Sequence, residues 1–171
     1  MRKDDYVRPP YVASEHRHCL TIRGSADVLV EDVTCRDAGL NIIDVKAPDS
    51  PKLIRRIDTL ELATGVSISG NILCICNRHM GLEFYDVSVP SKPEYLSSCY
   101  AGEAQSVYIS GNTVAVGDWV NQTLWLISID DVRAPRVLSK TPLDGYGDGV
   151  FIRGNLCYAA TGHHSRRLEN R

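Results

Sequence analysis

The residues best suited to chemistry in this chain sit just after three short apolar runs, ILCIC, TVAVG and LCYAA. Behind these runs come Arg78-His79, Asp118-Trp119 and His163-His164. A neutral imidazole beside a carboxylate can ligate zinc or a similar divalent ion, so His79, Asp118 and His163 are the metal candidates. An indole such as Trp119 can stack on a planar or sugar ring. Tyr146 and Asp148, with Asp144, lie in LDGYGDGV and could touch a ligand or a cation. No spacing among them matches a structural zinc motif, and the simpler reading is a set of solvated loop residues. His16-Arg17-His18-Cys19 resembles half of a metal site, but the second ligand pair is missing. Gly145, Gly147 and Gly149 resemble a phosphate loop, yet no helix follows to supply the anion-binding end. No Ser-His-Asp order or nucleophile elbow can be assigned, because a triad is recognised by geometry.

Whatever these residues do, a repeat must position them. GLNIIDVKAPDSP (39–51), GLEFYDVSVPSKP (81–93) and TLWLISIDDVRAP (123–135) stand 42 residues apart at both ends. A second marker runs in parallel: VSISGNILCIC, VYISGNTVAVG and VFIRGNLCYAA align on Gly70-Asn71, Gly111-Asn112 and Gly154-Asn155. Each is a short alternating strand, a two-residue turn and another strand. Gly in the first central position suits a type II′ hairpin. LTIRGSADVLV (20–30) is a weaker copy with Gly24-Ser25 at the turn.

One unit therefore reads as four strands, A to D: 66–69, 72–76, 82–87 and 94–100. The next unit repeats them at 107–110, 113–117, 124–129 and 136–140. The prolines between strands C and D cannot donate to a ladder, which places them in the loop or at the edge. No segment sustains a 3.6-residue apolar period, so no helix is expected. Asp44 and Asp86 end strand C, where a carboxylate caps the amides of the following turn; Ser128 takes the corresponding place in the third copy. Cys74 and Cys76 share one face of strand B. They and Cys157 fall in apolar runs, which suits reduced thiols better than a disulfide framework.

A four-stranded antiparallel unit of this length is the size of a propeller blade. The GLxIxDVxxPxxP segments and the VxIxGN strands resemble the LVIVD-repeat family of β-propellers over roughly residues 8–162. The resemblance implies an all-β propeller, partial or four-bladed, and no settled activity. The expected organisation is a tail at 1–7, a lone D strand at 8–14, and blades at 20–57, 66–100 and 107–140. A partial blade at 150–160 and a tail at 163–171 complete it. The copy at 123–135 departs from the pattern with Thr123 and Ile129, and the first copy carries four extra residues between turn and strand C.

Blade topology gathers the D–A loops (14–19, 58–64, 101–106, 141–149) and B–C loops (31–38, 77–80, 118–122, 161 onward) on one face. All five histidines fall in this set. The expected function is a non-enzymatic scaffold presenting that face to a protein, peptide or glycan. The alternative is a metal-assisted hydrolase with its ion at the axis. No cofactor is required; a divalent metal is admitted. A net charge of -2 gives no pull toward nucleic acid, and no apolar run is long enough for a transmembrane segment. Open blade edges invite self-association. As encoded the chain lacks a signal peptide, which suggests the cytoplasm, or the cell exterior if it is part of a longer exported protein.

Overall fold

The structure, a computed structural model, describes residues 39–162, and every regular element there is a strand. They are β1 (Gly39–Asp44), β2 (Lys52–Asp58), β3 (Gly65–Ser69), β4 (Ile72–Cys76), β5 (Leu82–Asp86) and β6 (Glu94–Cys99). Then follow β7 (Ala104–Ser110), β8 (Thr113–Asp118), β9 (Thr123–Ser128), β10 (Arg136–Pro142), β11 (Tyr146–Arg153) and β12 (Leu156–Gly162). They form two complete antiparallel sheets, β3-β4-β5-β6 and β7-β8-β9-β10, flanked by the hairpins β1-β2 and β11-β12. The four-stranded repeat is thus the fold's unit. The expected strand at 8–14, the A and B strands at 20–30 and both tails lie outside the described residues. Among the described residues no helix is long and apolar enough to cross a membrane.

The local chemistry explains each unit. Gly70, Gly111 and Gly154 have φ of +56°, +56° and +59°, while the asparagines after them do not turn positive, as a type II′ turn requires. Strand C ends where a side chain captures the turn. The amide of Lys46 donates to Asp44 Oδ1 at 2.9 Å and that of Ser88 to Asp86 Oδ1 at 2.7 Å. In the divergent copy the hydroxyl of Ser128 accepts from the amide of Asp130 at 3.2 Å. A hydroxyl does the carboxylate's job, so the break in the sequence pattern leaves the turn intact.

None of these sheets has a core of its own; the cores lie between them. The face of β4–β5 carrying Cys74, Cys76, Leu82 and Phe84 packs on Val107, Ile109, Val114, Val116, Trp125 and Ile127 of the next sheet. The opposite face, with Leu73, Ile75 and Tyr85, packs on Ile57, Leu40 and Ile42 of the preceding hairpin. Alternation along each strand supplies one apolar set per face. The A strands β3, β7 and β11 lie side by side, β3 on β7 and β7 on β11. Tyr108 and Phe151, at the same strand position, bring their rings to 4.4 Å. This is the radial stacking of a propeller.

Cys74 and Cys76 are fully buried in the first of these cores, and burial pushes both thiols up. Cys74, Cys76, Cys99 and Cys157 are free thiols. Cys157 is only partly covered, unlike the buried position its apolar run suggests.

Candidate functional site

Counting seven residues from each turn glycine shows which positions are equivalent: Asn77 matches Asp118 and Thr161. Arg78 therefore matches Trp119, and His79 matches Val120. The sequence pairing of Arg78-His79 with Asp118-Trp119 is shifted by one residue. The same count on strand A makes Glu103 and Tyr146 equivalent, and Leu62 stands in the same place one unit earlier.

Those matches reveal a recurring seam between neighbouring sheets. At the first seam, Arg78 Nε donates to Glu103 Oε1, and Ala104 N donates to Arg78 O at 2.9 Å. Both side chains of the pair are nearly buried, at 9% and 2% exposure. Arg78 takes φ +42°, a left-handed backbone that a non-glycine residue adopts at some cost. At the second seam the same two positions hold Trp119 and Tyr146, whose rings stack with centroids 4.6 Å apart and planes 23° from parallel. An ion pair and an aromatic stack thus occupy one geometric slot. Trp119 N also donates to Glu103 O at 3.0 Å, which ties the two seams together.

Asp118 proves to be the last residue of β8, not part of a loop, and it is fully buried. Its Oδ1 accepts from the amides of Glu103 and Asn121, both at 3.2 Å. Its Oδ2 accepts from Asn121 Nδ2 at 2.8 Å and from the indole Nε1 of Trp125 at 3.2 Å. A carboxylate with four donors in a dry setting holds together the loop entering its own sheet and the turn leaving it. The approach is close: a Cβ on Gly102 would lie 1.8 Å from Asp118 Oδ2, and glycine at φ +68° leaves the space open. Asn77, in the equivalent place, is as buried, but neither its Nδ2 nor its Oδ1 has a hydrogen-bond partner, and Glu103 Oε2 has none either.

Tyr146 and Asp148 were expected in a loop and instead belong to β11, which starts four residues earlier than its apolar pattern suggests. A bulge between Gly147 and Gly149 makes the extension. Its counterpart between Ala104 and Ser106 extends β7 in the same way. Tyr146 is half-buried, while Asp144 and Asp148 on either side are exposed. His79 is exposed; its amide donates to Glu61 Oε2 at 2.9 Å and its Nε2 lies 3.8 Å from Glu103 Oε1. His163 and His164 lie outside the described residues, as does the His16–Cys19 segment. Among the described residues no three His, Cys, Asp or Glu side chains gather as metal ligands would. His79 and Asp118 therefore share no such set, and the two oxygens of Asp118 are already engaged.

The structure thus brings Trp119 and Tyr146 together, sets His79 beside the neighbouring seam and turns Asp118 inward. The Arg78–Glu103 pair is a feature that the residue types alone did not reveal. The regular count from the turn glycines aligns Arg78 with Trp119 and Glu103 with Tyr146, but the meeting itself depends on the packing of successive sheets.

Stacked four-stranded antiparallel blades joined by such seams define a β-propeller repeat protein. The LVIVD repeat family model matches residues 33–59, 62–100 and 101–127, more than half of the chain, and the chain belongs to that family. Among solved structures it is similar to the computationally designed Ika8 protein, with a TM-score of 0.52 and 14% identity. That likeness covers 63% of this chain and 33% of the designed one, so the chain spans about a third of the length of the structure it matches. No curated protein matches.

Proposed function

We propose that this chain is a non-enzymatic binding scaffold that engages a glycan or peptide through the face formed by its D–A and B–C loops. The observation that carries this reading is the Trp119–Tyr146 stack. It is a rigid, half-exposed aromatic pair at a joint between blades, flanked by the exposed carboxylates Asp144, just before β11, and Asp148, on it. Aromatic side chains fixed by packing offer large contact area at small entropic cost, and an indole edge with neighbouring acids suits sugar hydroxyls or basic peptide groups. His79 adds an exposed imidazole on the same set of loops. Asp118 supports this platform from beneath and is not a contact residue.

The test is binding, with the purified chain, to a glycan array and to a library of short basic peptides. Trp119→Ala and Tyr146→Ala should each weaken any hit about tenfold or more, as expected of an aromatic hot spot. Lys92→Ala, on the C–D loop of the opposite face, should leave it unchanged. Equal binding by all three variants would place the contact surface elsewhere. Hydrolysis of a panel of ester, glycoside and phosphate substrates by the wild-type chain would overturn the non-enzymatic reading.

A further inference from the structure

The loop face carries more apolar surface than the aromatic stack alone. Met80 in the loop after β4, Tyr100 just past β6 and Val120 in the turn after β8 are 51%, 65% and 53% exposed. The backbone ties them into one stripe with the stack. A Cβ built on Gly81 would lie 2.9 Å from Tyr100 Cα, so the residue after Met80 runs against Tyr100. Further along the same loop, the carbonyl of Glu103 accepts from Trp119 N at 3.0 Å, and Trp119 stacks on Tyr146. Val120 comes next in the chain. The stripe thus crosses both complete blades and reaches β11.

The charge on these loops is mostly of one sign. Asp144 and Asp148 are exposed and Glu61 is half-buried. Asp58 is paired with Arg56 of β2 at 3.0 Å. Among the described residues of these loops Arg78 is the only Lys or Arg, and it is sealed in its pair with Glu103. His79 is the other basic side chain there, beside the carboxylates of Glu61 and Glu103. Lys140, on β10 before the loop begins, holds its ammonium 3.8 Å from the centre of the Trp125 ring.

We infer that the occupant of this face is a basic peptide whose apolar side chains lie along the stripe from Met80 to Tyr146 while its Lys or Arg groups meet Asp144 and Asp148. The inference rests on the scaffold reading above and narrows glycan or peptide to one class. The thioether of Met80 and the methyls of Val120 offer a sugar hydroxyl no good partner, and covering a hydroxyl there would strip its water without replacement. Apolar side chains lose nothing in the same place, and methionine adapts its shape to many of them. Carboxylates at the rim select a cationic partner and steer its approach. Stacked sheets lie roughly 10 Å apart and an extended chain advances about 3.3 Å per residue, so a peptide crossing from Tyr100 to Trp119 sets its apolar residues about three apart.

Selection of a random peptide library displayed on phage against the purified chain tests this. The enriched pool should be rich in Lys and Arg, with apolar residues about three apart. The best sequence, synthesised with a fluorescent label, should lose affinity about tenfold with Met80→Gln, Tyr100→Gln or Trp119→Ala, measured by anisotropy on variants whose thermal melts match wild type. Asp144→Asn with Asp148→Asn should weaken binding and flatten its salt dependence. Loss with Trp119→Ala but with neither Met80→Gln nor Tyr100→Gln would overturn the stripe and leave the scaffold reading standing. No loss with any of the three would overturn both. A library that yields no enriched peptide, or one enriched in acidic residues, would also overturn the inference. A glycan-array hit that Trp119→Ala abolishes would in that case preserve the scaffold reading.

Discussion

Replacing Asp118 with alanine tests most directly whether this residue is a ligand contact or a brace. The side chain is fully buried and receives four donors. Two of these come from Asn121, which is exposed and can turn to water. The other two, the amide of Glu103 and the indole of Trp125, belong to residues only 3% and 5% exposed and would be stranded. Each stranded donor costs about 1–3 kcal/mol, which gives roughly 2–6 kcal/mol for the pair. Against a total of about 5–15 kcal/mol this is a large fraction. The melting temperature should fall by roughly 5–20 °C. Asp118→Asn keeps Oδ1 for the Glu103 amide but turns an amino group toward the indole, so its cost should be about half. Asn121→Ala should cost less than about 1 kcal/mol, since the oxygen it leaves keeps other donors. Urea denaturation of the three variants measures the series, with unchanged slopes confirming that only stability moved. A loss below about 0.5 kcal/mol for Asp118→Ala would refute the bracing role.

Three further outcomes follow from the same geometry. Glu103→Gln leaves the guanidinium of Arg78 buried without a counter-charge and should destabilise by about 3 kcal/mol or more. The double change Arg78→Met with Glu103→Gln should recover much of that loss in a denaturation cycle. Gly117→Ala would place a Cβ 2.3 Å from the carbonyl oxygen of Gly147, backbone against backbone, and should cost about 1–3 kcal/mol. Gly70→Ala meets nothing within 4 Å and should cost only its left-handed strain, about 1 kcal/mol, so a thermal melt showing Gly70→Ala as the worse variant would contradict the seam. Asp86 and Asp130 are held below the ordinary carboxylate value of 3.8, chiefly by hydrogen bonds from Ser88 and Ser128 respectively. A lowered native value adds stability above 3.8 that disappears as pH falls through the folded value. Melts between pH 7 and pH 2.5 should therefore show a smaller acid-side drop in the Asp86→Asn, Asp130→Asn double variant than in wild type.

Much of the framework is legible in the residues because it is local. Gly70-Asn71 and its two copies announce hairpins through backbone conformation, and Asp44 and Asp86 announce turns through bonds two residues away. Cys74 and Cys76 share a buried face because side chains alternate along a strand. The seams are not local. Arg78 finds Glu103 and Trp119 finds Tyr146 across a blade boundary, and only the packing of successive sheets decides that meeting. The inward turn of Asp118 was hidden for a related reason. Its donors come from the chain before β7, from the turn after β8 and from the indole of Trp125 on β9, so the residue reads as a polar loop end until all three are folded around it. The bulges that lengthen β7 and β11 break the alternating pattern at the point where it would have announced their starts, which moved Tyr146 and Asp148 from loop to strand.

The seams also write the order of the blades into the molecule. Arg78 belongs to one blade and Glu103 to the next, so neither half of the joint has meaning alone. A copy of 59–100 inserted beside itself would present Arg78 to the position that Leu62 now holds, an aliphatic chain with nothing to offer a cation. Tandem gene duplication, the usual way to lengthen such an array, would therefore leave a buried charge until a second mutation supplied its partner. Units that look interchangeable in their turns are addressed at their borders, and the array can grow only where the addresses agree.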